Sequence, residues 1–371
     1  MKKLILFACI FIISASAFAQ RLRDFGIETG IFQTGKNNAI TDVTGVKVGH
    51  VTLIEGDSIR TGVTAIIPHD ENIFRKKCPA AIYVGNGFGK LAGYTQVREL
   101  GNIETPIILT NTLSVASALE ALVTYTISQK GNETIRSVNG IVGETNDGEL
   151  NDIRKRYVTP QHVIEAIENA SSDNIAEGNI GAGTGTVCFG FKGGIGTSSR
   201  VLPTNYGSYT VGVLVQTNYG GILEIDGKQI GKQLGQYSFK TAVETDNSLN
   251  PDGSCMIVVI TDAPIDARNL ERLAKRAMFG LAKTGGIASN GSGDYVIALS
   301  NCRQNLIDEY TKHYTPTLLH NNDMSALFEA TIEATAEALW NSLFTAKTIK
   351  GFNGVEIKAL PIDEVVRMLK K

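Results

Sequence analysis

A serine hydroxyl becomes a useful nucleophile only when a base takes its proton, and that base is most often a histidine. The 371-residue chain holds five histidines, His50, His69, His162, His313 and His320, and no pattern ties one of them to a serine. There is no GxSxG elbow, because Ser292 lies between Gly291 and Gly293 with the wrong spacing. HExxH is absent, and no histidine pair has the spacing of a helical metal site. Ser254 stands differently. It follows Asp252-Gly253 and opens the apolar run Cys255-Met256-Ile257-Val258-Val259-Ile260 before Thr261. If the chain breaks between Gly253 and Ser254, the new terminus carries nucleophile and base in one residue. A free α-amine has a pKa of about 7.7–8.0 in peptides, close to where a general base works best. Gly253 tolerates a distorted backbone at a cutting site better than any other residue. The same residues also read as an ordinary turn that starts a strand.

Other chemistries find little support. Gly181-Ala182-Gly183-Thr184-Gly185-Thr186 misses the third glycine of GxGxxG, and Gly89-Lys90-Leu91 lacks the upstream glycine and the hydroxyl residue of a P-loop. Neither nucleotide, metal nor any other cofactor is expected. Apart from Cys9, the cysteines are Cys78, Cys188, Cys255 and Cys302, far apart and without a CxxC pair. They read as small buried hydrophobes, and the sequence cannot pair them.

Residues 1–19 read as a signal peptide. Lys2 and Lys3 precede the apolar stretch Leu4 to Ile13, and Ala17-Phe18-Ala19 forms a small-x-small cleavage site before Gln20. The apolar stretch falls short of the about 20 residues that span a bilayer, so no membrane anchor is expected. Export to a periplasm or beyond the cell follows. Without those two lysines, 33 of the 35 basic residues face 37 acidic ones, which leaves no electrostatic footprint for nucleic acid.

The elements around Ser254 are legible in part. Tyr209 to Gln216 reads as a strand ending at Thr217-Asn218, and Asp266 to Lys283 as a helix stopped by Gly285-Gly286. A helix follows Asn111 or Thr112, a second opens at Thr159-Pro160, and Asp323 is expected to cap a long one. Lys192 to Arg200 reads as a glycine-rich loop, Asn290 to Asp294 as a turn before a strand at Tyr295, and Lys232 to Pro251 as an exposed linker. Strands first, with helices packed on them, indicate an α+β layered fold.

Several long motifs in order resemble the DmpA-type aminopeptidases and β-peptidyl aminopeptidases. They are Gly178-Asn179-Ile180-Gly181-Ala182-Gly183-Thr184-Gly185, Phe191-Lys192-Gly193-Gly194-Ile195-Gly196-Thr197-Ser198-Ser199-Arg200, Val211 to Asn218, Asp252-Gly253-Ser254 with its Val/Ile run, Thr261-Asp262-Ala263-Pro264, Leu270 to Ala277 and Gly291-Ser292-Gly293-Asp294. The resemblance implies a four-layer αββα sandwich, like the N-terminal nucleophile hydrolases but differently connected, as in the ornithine acetyltransferases. It implies self-cleavage into an α chain, residues 20–253, and a β chain, residues 254–371, with several αβ pairs assembling. It implies removal of N-terminal residues from short peptides, amides or esters without a metal. In it Ser254 is the nucleophile, Asn218 the side-chain donor to the oxyanion, Ser292 a hydroxyl that orients or relays protons, and Asp294 an acidic position that some members fill with Glu. The family's second oxyanion donor is an aromatic hydroxyl, and the place that aligns best is near Asn146, which is not aromatic. Two other functions remain in view: an N-acyltransferase of the ornithine acetyltransferase type, which usually presents Thr at its cut, and a non-catalytic exported protein that holds a ligand in its glycine loops.

Overall fold

A computed structural model describes residues 20–173, 175–245 and 252–371. The expected signal peptide and the end of the expected linker lie outside them. Among the described residues no helix is long and apolar enough to cross a membrane.

Two sheets form the middle of the molecule. Sheet I runs β1 (Lys47–Glu55), β2 (Ile59–Ile67), β4 (Ile107–Asn111) and β5 (Ile141–Thr145) in that spatial order. Sheet II runs β3 (Lys76–Gly87), β9 (Gly291–Ser300), β8 (Asp252–Thr261), β7 (Thr210–Asn218) and β6 (Ile195–Val201), with two-residue strands added beside β3. Helices α1 (Val115–Ser128) and α2 (Pro160–Glu168) cover the outer face of sheet I. Helices α3 (Ala267–Lys283) and α4 (Ser325–Phe344) cover that of sheet II. The result is the four-layer αββα sandwich.

The run after Ser254 is apolar throughout because β8 is buried on both faces. Cys255, Ile257 and Val259 point into the core under α3 and α4. Met256, Val258 and Ile260 point into the core between the sheets. α3 begins where expected, its Asp266 carboxylate accepting the Asn269 amide at 2.9 Å. Asp323 does not cap α4. It ends a short 3-10 turn, and Met324 precedes the helix without a side-chain cap.

Most of the stretch 192–200, read as a loop, lies in strand β6, Ile195–Val201. Its glycine serves a contact rather than a turn: a Cβ on Gly196 would meet the Ala338 carbonyl of α4 at 2.0 Å. The serine, threonine and arginine side chains that follow clamp an N-terminal strap against this edge. Thr197 Oγ1 accepts the Ile40 amide at 2.7 Å, and the Ser199 hydroxyl donates to Asp42 at 2.6 Å. Arg200, wholly buried, donates to Glu333 at 2.8 Å, to Glu337 at 2.7 Å and to the Thr29 carbonyl at 3.0 Å. The strap thereby occupies an edge that would otherwise be open to pairing. A short helix, Ile230–Gln233, runs into the start of the expected linker, and a second, Lys240–Thr245, lies within it. Cys78, Cys188 and Cys255 are buried free thiols, and Cys302 is half-buried.

Candidate active site

Three neighbouring strands share one end of sheet II. β7 finishes there at Asn218, β8 starts at Asp252, and β9 starts at Gly291. Their register sets Asn218 directly opposite Ser254. On the other side, Gly253 lies beside Ser292, Ser254 beside Gly293, and Cys255 beside Asp294. The ladder therefore assembles every residue singled out from the sequence except Asn146. Ser292 and Asp294 belong to the strand itself. They were expected on a turn, because glycines at 291 and 293 imitate one. A Cβ on Gly293 would meet the Phe88 carbonyl at 2.8 Å, so close packing requires that glycine.

A cavity of about 740 Å³ opens at this end, between the two sheets. Gly253, Ser254, Asn218 and Tyr219 form one wall, Gly87 to Lys90 another, and Thr112, Glu144, Asn146 and Glu149 come from the ends of sheet I. Asn146 thus faces the same space. Its side-chain Oδ1 accepts the Gly148 amide at 2.9 Å.

The Ser254 hydroxyl donates to the carbonyl oxygen of Gly253 at 2.6 Å, across the peptide bond that joins the two residues. Gly253 does not hold a left-handed backbone. It is glycine because a Cβ there would stand 2.9 Å from the Tyr219 Cα. Steric closeness replaces the expected backbone distortion as its reason.

Asn218 is oriented by one bond. Its Oδ1 accepts the Val187 amide at 3.0 Å, which leaves Nδ2 to donate, with no acceptor among the described residues. Val187 belongs to a small hairpin, Val187–Cys188 with Phe191–Lys192. Phe189 and Gly190 both take positive φ at its turn, 53° and 77°, as a two-residue hairpin turn demands.

Ser292 and Asp294 do not line the cavity. Each is 1 % exposed and lies behind Ser254. Ser292 Oγ and both carboxylate oxygens of Asp294 lack hydrogen-bond partners. Leaving such a group unpaired in the interior costs about 1–3 kcal/mol. Burial pushes the Asp294 carboxyl up to about 6, opposed by the nearby Ser292 hydroxyl and Cys255 amide, neither of which reaches hydrogen-bond geometry.

The profile of peptidase family S58 matches residues 38–357. The chain belongs to peptidase family S58. It is 40% identical to a β-peptidyl aminopeptidase of Sphingosinicella microcystinivorans, over 96% of this chain and 94% of that one. Among solved structures, a protein of Pyrococcus horikoshii superposes with a TM-score of 0.87 at 44% identity, covering 95% of this chain and 99% of its own. The L-aminopeptidase D-Ala-esterase/amidase of Ochrobactrum anthropi, described as a new variant among the N-terminal nucleophile hydrolase fold, superposes with a TM-score of 0.85 at 31% identity, over 94% and 99% of the two chains. This S58 peptidase is a self-processing serine aminopeptidase.

Sequence reasoning passed over other residues that the S58 cavity brings together. Glu144 is 4 % exposed and lines it, and burial raises its carboxyl above the usual range. Its Oε1 accepts the Lys90 amide at 2.9 Å, with the Lys90 ammonium 3.8 Å away. Phe88 is 67% exposed at the cavity. A signal for Glu144 existed: it is a lone carboxylate at the end of the apolar strand Ile141 to Thr145.

Proposed function

We propose that this S58 peptidase cuts itself between Gly253 and Ser254, and then removes N-terminal residues from short peptides, amino-acid amides or esters through an acyl-enzyme on Ser254. The observation that carries this reading is the Ser254 hydroxyl, bonded to the Gly253 carbonyl oxygen at the mouth of a cavity and directly opposite Asn218.

In maturation, Ser254 Oγ attacks the Gly253 carbonyl carbon. The peptide nitrogen leaves as the Ser254 amine, and water hydrolyses the resulting ester. No free amine exists yet to act as base. In this reading the buried carboxylate of Asp294, two residues from Ser292 on the neighbouring strand, accepts the proton. In turnover the new amine takes the Ser254 hydroxyl proton as Oγ attacks the substrate carbonyl. The leaving amine departs with a proton, and water releases the acid. Asn218 Nδ2 donates to the oxyanion in both reactions.

Glu144 is the carboxylate suited to the substrate's terminal ammonium. The names of the similar β-peptidyl aminopeptidases make β-peptides the first substrates to try. The pattern of residues 1–19 supports export, and the family resemblance supports an assembly of several αβ pairs, residues 20–253 with 254–371.

Ser254→Ala tests the reading. The variant is expected to run as one uncut chain without peptidase activity, whereas the parent protein yields a chain whose intact mass begins at Ser254. Two chains from the variant would refute it.

A further inference from the structure

Lys192 is fully buried, and no ion pair reaches it among the described residues. Its ammonium instead donates to three backbone carbonyls, those of Gly183 at 2.8 Å, Thr186 at 2.8 Å and Gly193 at 2.7 Å. Burial pushes its pKa down to about 7. Three carbonyl acceptors still call for three N–H groups, which only the ammonium supplies. Nothing in the reaction uses this charge directly.

One of the three carbonyls leads to the site. The Thr186 carbonyl and the Val187 amide belong to the same peptide unit. That amide donates to Asn218 Oδ1 at 3.0 Å. The contacts therefore run from ammonium to peptide to carboxamide to cavity. Hydrogen bonds in such a chain polarise one another. Positive charge on the Thr186 oxygen withdraws density from the peptide and strengthens the Val187 N–H as a donor. The bond at Oδ1 does the same to the Asn218 Nδ2–H. Lys192 and Val187 are also register partners in the small hairpin, so the ammonium fixes the hairpin that carries the amide.

We propose that Lys192 is a positioning residue: through the Thr186–Val187 peptide, its buried ammonium orients and polarises the Asn218 side chain that faces the oxyanion. The inference rests on Asn218 being the oxyanion donor.

The test compares Lys192→Met, Lys192→Gln, Asn218→Ala and the Lys192→Met/Asn218→Ala pair, with an amino-acid p-nitroanilide as substrate. Rates are expressed per cleaved chain, measured on a denaturing gel. Lys192→Met is expected to lower kcat about 10- to 100-fold while KM stays within about threefold, a smaller loss than removing the donor itself. Lys192→Gln keeps two N–H groups and is expected to recover part of that loss. In the Asn218→Ala background, Lys192→Met is expected to change kcat by no more than about twofold, since the group it acts through is gone. A folded Lys192→Met enzyme with parental kcat overturns the proposal, as do losses that multiply in full in the double variant. If Lys192→Met does not fold, Lys192→Gln carries the same comparison. Failure of both to fold also overturns it, by making Lys192 a residue of stability alone. Should Asn218→Ala leave kcat unchanged, the oxyanion assignment fails first, and that result is separate from any obtained at Lys192.

Discussion

Asn218 and Ser254 face each other as register partners across the antiparallel pair β7–β8, one ending its strand and the other near the start of its own. The proposed donor and the proposed nucleophile thus share a backbone frame and cannot drift apart without breaking the ladder. Asn218→Ala should lower kcat by about 10²–10³ with little change in KM, since the donor acts on charge that develops only during reaction. Steady-state kinetics on the cleaved fraction check it.

Gly253→Ala separates maturation from turnover. The added Cβ would press on the Tyr219 Cα and shift the strand beside the proposed cut. Gel densitometry over time should show slower cleavage. Gly253 lies on the other side of the proposed cut from Ser254, so kcat per cleaved chain should stay near the parental value.

Asp294→Asn should trade activity for stability. Burial pushes the folded carboxyl up to about 6 from an ordinary 3.8. A raised carboxylate pKa means the charged form costs more folded than unfolded, so this group's effect on stability worsens as pH climbs from about 4 to 6 and stays unfavourable above. The amide variant is expected to gain about 1–3 kcal/mol at pH 7–8, read by urea unfolding of uncut protein. Self-cleavage of the parent should accelerate as pH rises through about 6, and the variant should lose both speed and that dependence.

Glu144→Gln should raise KM for substrates with a free terminal ammonium by about 10- to 100-fold, a range typical of a lost buried charge contact, with a smaller effect on kcat. Burial holds the Glu144 carboxyl above its usual range. In the parent enzyme KM should therefore climb on acidification at a higher pH than an ordinary glutamate would give. An unchanged KM would remove Glu144 from substrate binding.

Arg200→Ala leaves two buried carboxylates, Glu333 and Glu337, without their shared partner. Breaking such a network costs about 3–5 kcal/mol. Urea unfolding of the variant in the uncut Ser254→Ala background should show that loss. Limited proteolysis should open the strap before residue 42 first.

The sequence showed what depends on pattern and concealed what depends on proximity. Strands β7 and β8 and helix α3 announce themselves through apolar runs and period, because each is buried against both neighbours or along one face. Strand β6 did not, since Gly196 and its polar followers imitate a loop while serving α4 and the N-terminal strap. Ser292 and Asp294 were placed on a turn for the same reason: glycine marks close backbone approach as readily as it marks a bend. Ser254 was read from its own surroundings and Asn218 from resemblance, yet only strand register says that they are opposite each other. Glu144 shows locally only as a lone carboxylate ending an apolar strand, its contact with Lys90 spanning 54 residues, and nothing local in the chain announces the carbonyl cradle of Lys192.

The strand order of sheet II has a final consequence. β8 and β9 follow the proposed cut, yet they lie between β3 and β7, which precede it. Cleavage then converts one polypeptide into two whose strands are interleaved in a single sheet, with α3 and α4 from one half roofing strands from both. The halves cannot separate without dismantling the sheet. Once dismantled, they would have to find each other again by collision. Maturation turns folding from a first-order event into a second-order one, so the mature enzyme's recovery after denaturation should fall on dilution while that of the uncut Ser254→Ala chain should not.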